Sequence, residues 1–521
     1  MRGLTRPLER NLTQGYVLLA KAGAGKDRDL AGAEVEPLFD TLRAPARQMP
    51  SVAARRLSTG CWYEMAPQMA QPAASFETPI SPPSSAPRLV RAVGLLSLTA
   101  IAINGMIGAG IFLLPATAAR LLGPLSPLAY FVSGLAILLI ILCFAEVGSR
   151  FERAGGPYLY ARTAFGPFVG FEVGWLFLLA RLTAFAAISN AFTAYLAYFW
   201  PAAGVGVGRV IAITALLGVL AAINLVGIRY GAWFINLLTV GKLLPLLLLA
   251  IAGLFFIDAR QFSFSAPPPI AALRQASLVL IFAFGGFEFA SVPSEEVINP
   301  RRNLPIALLA AVSLTGIIYV LIQIVALGTV PQLAAASAPL ALSAQHFLGV
   351  IGGAIVAVGA LISTSATDSA TVLVGPRLLY AMAEGGQLPG VLARVHPRYR
   401  TPHVALAAFA LGAWAVAMYS NFSQLAALSA IARMFYYLTT CVAVPVLRRK
   451  MPNSSRQFAV PGGALIPVAA VAVSLWLLSG STLAQAVLGA GALLTGAAIY
   501  LAQKWWSAGA RPARASGSTS R

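Results

Sequence analysis

Ile103-Asn104-Gly105-Met106-Ile107-Gly108-Ala109-Gly110-Ile111-Phe112 lies in the middle of an apolar run that begins near Val93. Three glycines fall within six residues, and each costs a helix about 1 kcal/mol relative to alanine. A second apolar run carries a similar interruption, Phe282-Ala283-Phe284-Gly285-Gly286-Phe287-Glu288-Phe289, with Pro293 beyond it. Counted along the chain, these are the first and the sixth apolar runs, corresponding members of two five-helix halves. Unwound backbone inside a membrane leaves N–H and C=O groups that substrate, ion, water or protein must satisfy. Half-helix N-termini attract a carboxylate, and freed carbonyls attract an ammonium group. An α-amino acid presents both charges on one carbon. Paired interruptions of this kind point to a transporter binding site; close glycine-mediated helix packing is the plainer alternative.

The composition agrees with a membrane setting. Of 521 residues, 58% are hydrophobic and only 10% charged, against roughly 25% charged in soluble domains. A water-soluble fold would lack polar surface, so the bilayer is the natural solvent. The formal charge of +20 would suggest nucleic acid in a soluble protein. Here the basic residues lie between apolar runs, and no zinc-finger spacing or basic–aromatic stretch appears. Cys61, Cys143 and Cys441 are widely spaced and form neither a disulfide framework nor a metal motif.

Residues 1–90 are polar, mixed in charge and rich in Ala, Pro, Arg and Ser, and are expected to form a disordered cytoplasmic tail. Gly23-Ala24-Gly25-Lys26-Asp27 lacks the first glycine and the Ser or Thr of a phosphate loop. Residues 506–521 form a short basic tail. Between the tails, residues 91–505 contain apolar runs near 93–119, 127–147, 167–199, 210–227, 231–257, 277–297, 305–329, 347–374, 403–420, 425–447, 462–479 and 483–502. About 20 apolar residues cross a bilayer, so the fold class expected is all-α and integral to the membrane, with about twelve helices. With both termini cytoplasmic, 20 Lys and Arg fall on the inner side, including Arg150, Arg153, Arg301, Arg302, Arg398, Arg400, Arg448, Arg449 and Lys450. Four (Arg120, Arg209, Arg260 and Arg274) fall outside, and that bias sets the orientation.

Four stretches together resemble the amino acid–polyamine–organocation permeases, of the bacterial amino acid permease type. They are Gly105–Phe112; Phe282–Ala307, with its Gly-Phe-Glu and Asn299-Pro300-Arg301-Arg302-Asn303-Leu304-Pro305; Ala154-Gly155-Gly156-Pro157-Tyr158-Leu159-Tyr160; and Pro376–Pro389. The resemblance covers about residues 88–505. It implies a five-plus-five inverted repeat with discontinuous helices one and six, two further C-terminal helices, and alternating access. By position it implies that Ile107, Gly108, Ala109 and Gly110 bind the substrate carboxylate and amine through backbone. Phe282, Ala283 and Phe284 would face the pocket, Phe282 as an aromatic gate. Glu288 falls where some relatives place a glutamate used in pH response or gating; capping of free N–H groups is its structural alternative. A span-five lysine resembling Lys242 occupies a sodium position in sodium-independent relatives and couples transport to protons. The hydroxyls of Ser363 and Thr364 in span eight would line the same position.

The charges inside the spans constrain the reading further. Lys242 lies roughly 16 Å from the inner end of span five, and a charged lysine there costs at least ~2.5 kcal/mol without a cavity or partner. A structural lysine bound to carbonyls is the alternative to coupling, and Asp368 is a candidate partner. Arg181, about 21 Å deep in span three, needs a partner such as Glu172, Glu146 or Glu288, or else meets a substrate carboxylate. Asn190, further along the same span, is a weaker pocket candidate, with an interhelical hydrogen bond as its alternative. Arg433 in span ten lies near enough to the outer face to snorkel.

The reading that follows is a secondary transporter of amino acids in the plasma (inner) membrane, coupled to protons. An amino acid exchanger and an amino-acid-binding membrane sensor are the alternatives. No Ser–His–Asp set, His-Glu-x-x-His motif or ATP-binding motif occurs, and His346, His396 and His403 fall at loops or helix ends, so neither an enzyme nor a cofactor or metal is expected. The partners expected are the amino acid, protons and the lipid bilayer, with no nucleic acid; the resemblance leaves monomer and homodimer open. The pocket candidates, mostly apolar or aromatic, lean toward a neutral substrate.

Overall fold

The computed structural model describes residues 93–151, 155–226, 231–263, 268–291, 297–452 and 458–509. The readings of residues 1–90, of Cys61, Arg153 and Pro293, and of the basic tail from 510 onward lie outside them. The described residues form fourteen α-helices and no named strand. The first apolar run is two helices, α1 (Leu95–Met106) and α2 (Ala109–Leu122), followed by α3 (Ser126–Gly148). A short α4 (Gly156–Phe165) precedes α5 (Pro167–Leu196), α6 (Gly206–Val226) and α7 (Gly231–Ala252). Then come α8 (Ile270–Phe284), α9 (Pro300–Thr329), α10 (Pro339–Glu384), α11 (His403–Tyr419) and α12 (Phe422–Lys450). The chain continues through α13 (Leu465–Leu478) and α14 (Leu483–Gly509).

Seven of the described helical stretches are long and apolar enough to cross a membrane, and shorter apolar helices accompany them. The protein is therefore an all-helical, multi-pass membrane protein. Large apolar side chains such as Leu244, Phe255, Leu488 and Leu494 are exposed on the outside of the bundle, as lipid contact requires.

The helix boundaries follow local chemistry. Pro157, Pro167 and Pro300 sit in the first turns of α4, α5 and α9, where a missing N–H costs nothing. The turn between α4 and α5 rests on Gly166, whose φ is +94°. Two of the apolar runs have different bounds as helices, and one short helix falls outside the runs. Helix α8 begins at Ile270 rather than near 277 and ends at Phe284, followed by a 3₁₀ turn at Phe287–Ser291. Helix α10 extends the eighth run to Pro339–Glu384, broken at Gly349 (φ +68°). Helix α4 has only ten residues, too few to stand out as an apolar run.

At one end of the bundle, Glu146 on α3 receives Arg448 of α12 at 2.7 Å and Arg150 at 3.0 Å. The backbone N–H of Val460 also donates to it at 2.9 Å. This cluster ties α3, α12 and the segment before α13 together.

Candidate functional site

The two interrupted runs meet. Between α1 and α2, Ile107 and Gly108 leave helical geometry. After α8, Gly285 is extended (φ −74°, ψ 150°) and Gly286 has φ +117°, a backbone state that a side chain disfavours. A Cβ at Gly286 would collide with the Gly105 carbonyl, and one at Gly110 would stand 2.6 Å from Ala283 Cα. Glycine is required at these positions because the two broken backbones touch there.

The breaks enclose a cavity of about 20 Å³ for the centre of a water molecule, room for a water or two. Gly105, Met106, Gly108, Ala109 and Gly110 form one wall, and Phe282, Gly285 and Phe289 another. Arg181 and Ile188 of α5, Thr367 and Thr371 of α10, and Arg433 of α12 complete it. The first N–H groups of α2 have no carbonyl one turn back, and they lie at the positive pole of that helix. The last carbonyls of α8 lie beside them at a negative pole.

Other groups hold the breaks open. Lys242, fully buried on α7, donates from Nζ to the carbonyls of Asn104 (2.9 Å) and Ile107 (2.6 Å). The Tyr319 hydroxyl on α9 bonds the carbonyls of Met106 (2.8 Å) and Ala283 (3.1 Å), one from each broken helix. Helix α1 thus has its C-terminal carbonyls occupied by a cation and a hydroxyl.

Glu288 anchors the other side. Its Oε2 accepts from the Gly286 N–H (2.8 Å) and from Tyr437 (3.1 Å). Its Oε1 accepts from Tyr436 (2.8 Å), from Arg433 Nη1 (2.6 Å) and from Arg181. Of the three partners considered for Arg181, Glu288 is the one it meets. Glu146 is engaged with Arg150 and Arg448, and the Glu172 carboxylate lies against Gly496 of α14. Arg433 does not snorkel: it is 3% exposed and turned inward to Glu288, because a buried carboxylate attracts it more than a distant interface.

The remaining candidates separate by helical phase. Gly108, Ala109, Gly110 and Phe282 line the cavity. Phe284, two residues or about 200° beyond Phe282, instead packs edge-on against Tyr319. Ala283 backs onto Gly110, and Ile107 offers its carbonyl to Lys242. Asn190, two residues past the lining Ile188, accepts from Arg209 at 2.6 Å and 3.0 Å and donates to the carbonyls of Ala186 and Ala417. The structure therefore places it in an interhelical junction rather than in the cavity wall. Lys242 and Asp368 do not pair. Asp368 accepts from Ser189 at 3.0 Å through Oδ2, and its Oδ1 has no hydrogen-bond partner. Thr364 bonds back to Ala360, and the buried Ser363 hydroxyl has no partner. Reading the sequence missed Tyr319, Tyr436 and Tyr437. Arg433 followed three and four residues later by two tyrosines is a signal that could have found the Glu288 cluster.

A multi-pass helical protein whose two broken helices meet at a buried cavity belongs to the transporter class. The comparisons narrow this. The family model "Amino acid permease" matches residues 93–501, so the chain belongs to that family. Among its relatives in Bacillus subtilis is a methylthioribose transporter, 29% identical over 77% of this chain and 90% of its own length. A branched-chain amino acid permease is 28% identical over 78% and 91%. A serine/threonine exchanger is 30% identical over 76% and 92%.

Proposed function

We propose that the protein is a secondary active transporter that carries amino acids across the plasma membrane by proton symport and alternating access. The observation that carries the reading is the meeting of the α2 N-terminus with the α8 C-terminus at one buried cavity, a pair of opposite poles suited to a zwitterion. The permease and exchanger relatives carry amino acids by name, which supports the same class of cargo. In this reading α1–α2 and α8 with its 3₁₀ turn are corresponding discontinuous helices of a five-plus-five inverted repeat, and both termini are cytoplasmic. The cavity holds a water or two, so the bundle opens to admit substrate and closes on it, which is the motion that alternating access requires.

Lys242 supplies the coupling. Its ammonium holds the unwound segment through two carbonyls. Loss of its proton weakens that grip and changes the α1–α2 break, so proton occupancy and site shape are linked. Exchange is the second reading, favoured by the serine/threonine exchanger relative.

The test is uptake of a radiolabelled amino-acid panel into proteoliposomes with and without an inward proton gradient. Accumulation that requires the gradient supports symport. Uptake that requires amino acid inside the vesicles, whatever the gradient, establishes exchange and refutes the coupling role of Lys242.

A further inference from the structure

Two guanidinium groups form part of the cavity wall, and one carboxylate answers them. Arg181 and Arg433 both line the cavity, are 2% and 3% exposed, and converge on Oε1 of Glu288. Glu288 is fully buried behind them and is not part of the wall. It also receives Tyr436, Tyr437 and the Gly286 N–H, so its acceptor capacity is filled. Lys242 and Asp368, also buried, do not line the cavity. Two guanidinium groups of the wall thus answer to one carboxylate behind it, and among the described residues no carboxylate lies in the wall itself.

Arg181 also has unused donor capacity. Its Nε has no hydrogen-bond partner. The guanidinium is flanked by the rings of Phe177 and Phe289, with centroids 4.6 Å and 4.2 Å away, which fix its place without accepting from its N–H groups. Gly285 admits the second guanidinium: a Cβ there would stand 2.6 Å from Arg433 Cζ. Both forks are therefore held at the broken end of α8, next to the poles that suit the α-carboxylate and α-ammonium of a zwitterion. Those two substrate charges cancel each other. The positive surplus of the wall still calls for an anion, because an uncompensated buried charge is costly.

We propose that the transported amino acid is dicarboxylic, of the size of aspartate or glutamate, and that Arg181 and Arg433 receive its side-chain carboxylate. This rests on the amino-acid transport reading above and departs from the neutral substrate to which the apolar and aromatic candidates alone lean. Planar guanidinium forks match a carboxylate in two-point hydrogen bonds. The same surplus repels a lysine-like or polyamine cargo.

Glutamate and glutamine have nearly the same shape and differ in charge, so their comparison isolates the claim. In proteoliposomes of the wild-type protein, uptake of glutamate or aspartate should exceed that of glutamine, leucine or lysine by about tenfold or more at equal concentration. Arg433→Gln should lower the ratio of glutamate to glutamine uptake by about tenfold or more, whatever its effect on overall uptake. A purely structural arginine would lower all substrates together, and that result would overturn the assignment of Arg433. Glutamine or leucine uptake equal to or above that of both acids overturns the proposal and leaves amino-acid transport standing. If no amino acid is taken up and none raises the Tm of the purified protein, both readings fall. Should Arg433→Gln not fold, the wild-type acid-to-amide ratio in uptake and in Tm shift decides the matter.

Discussion

Lys242 and Tyr319 are the residues on which the shape of the α1–α2 break depends. Each reaches from another helix to carbonyls that a continuous helix would have used itself. Lys242→Ala removes the ammonium from Asn104 and Ile107. The expected outcome is loss of gradient-driven accumulation with folded protein retained, checked by uptake at equal and unequal pH across the vesicle membrane; accumulation still driven by the gradient in that variant refutes the coupling role. Tyr319→Phe removes the one hydroxyl proton that the buried carbonyls of Met106 and Ala283 share. A loss of about 1–3 kcal/mol is expected, read as a lower Tm, together with reduced uptake because the two broken helices lose their shared tie.

At the scale of elements, α1–α2 and α8 with its 3₁₀ turn act as one unit held by backbone contact. Gly286 combines φ +117° with a position against the Gly105 carbonyl. Gly286→Ala meets both the backbone preference and the collision, and together these cost more than the 1–3 kcal/mol typical of a single strained site. The expected outcome is loss of monodisperse protein on size exclusion, or a folded protein without uptake. Gly285→Ala acts differently, since its Cβ would displace the Arg433 guanidinium rather than backbone. Comparing the two variants separates helix contact from guanidinium placement.

For the whole molecule, the Glu146 cluster joins α3 and α12 at the end where Arg150, Arg448 and Lys450 collect. In the proposed orientation this is the cytoplasmic end. A C-terminal green fluorescent protein fusion in a bacterial host should therefore fluoresce, and a C-terminal alkaline phosphatase fusion should be inactive; the reverse pattern would invert the orientation. Glu146→Ala leaves Arg150 and Arg448 without their shared carboxylate. About 3–5 kcal/mol is the scale for breaking such a buried pair, reduced here because Arg448 is partly exposed. A lower Tm with substrate selectivity unchanged is expected, because this end lies apart from the cavity wall.

The apolar runs, their polar separations and the two glycine-rich interruptions were legible along the chain, because hydropathy and helix propensity are local properties. They settle by themselves that the protein is helical and membrane-spanning, and they mark the two places where a helix is interrupted. That the breaks touch at Gly105 and Gly286, that Tyr319 ties them, and that Arg181 and Arg433 share Glu288 were not legible. Most of those contacts join residues more than a hundred positions apart in sequence, such as Arg433 and Glu288, and all depend on helical phase. Two residues along a helix turn a side chain by about 200°, which is why Ile188 lines the cavity and Asn190 does not. The sequence alone determined which helices are interrupted; only the tertiary structure decided which charges face the interruption, because a buried charge takes its position from the partner that folding brings to it.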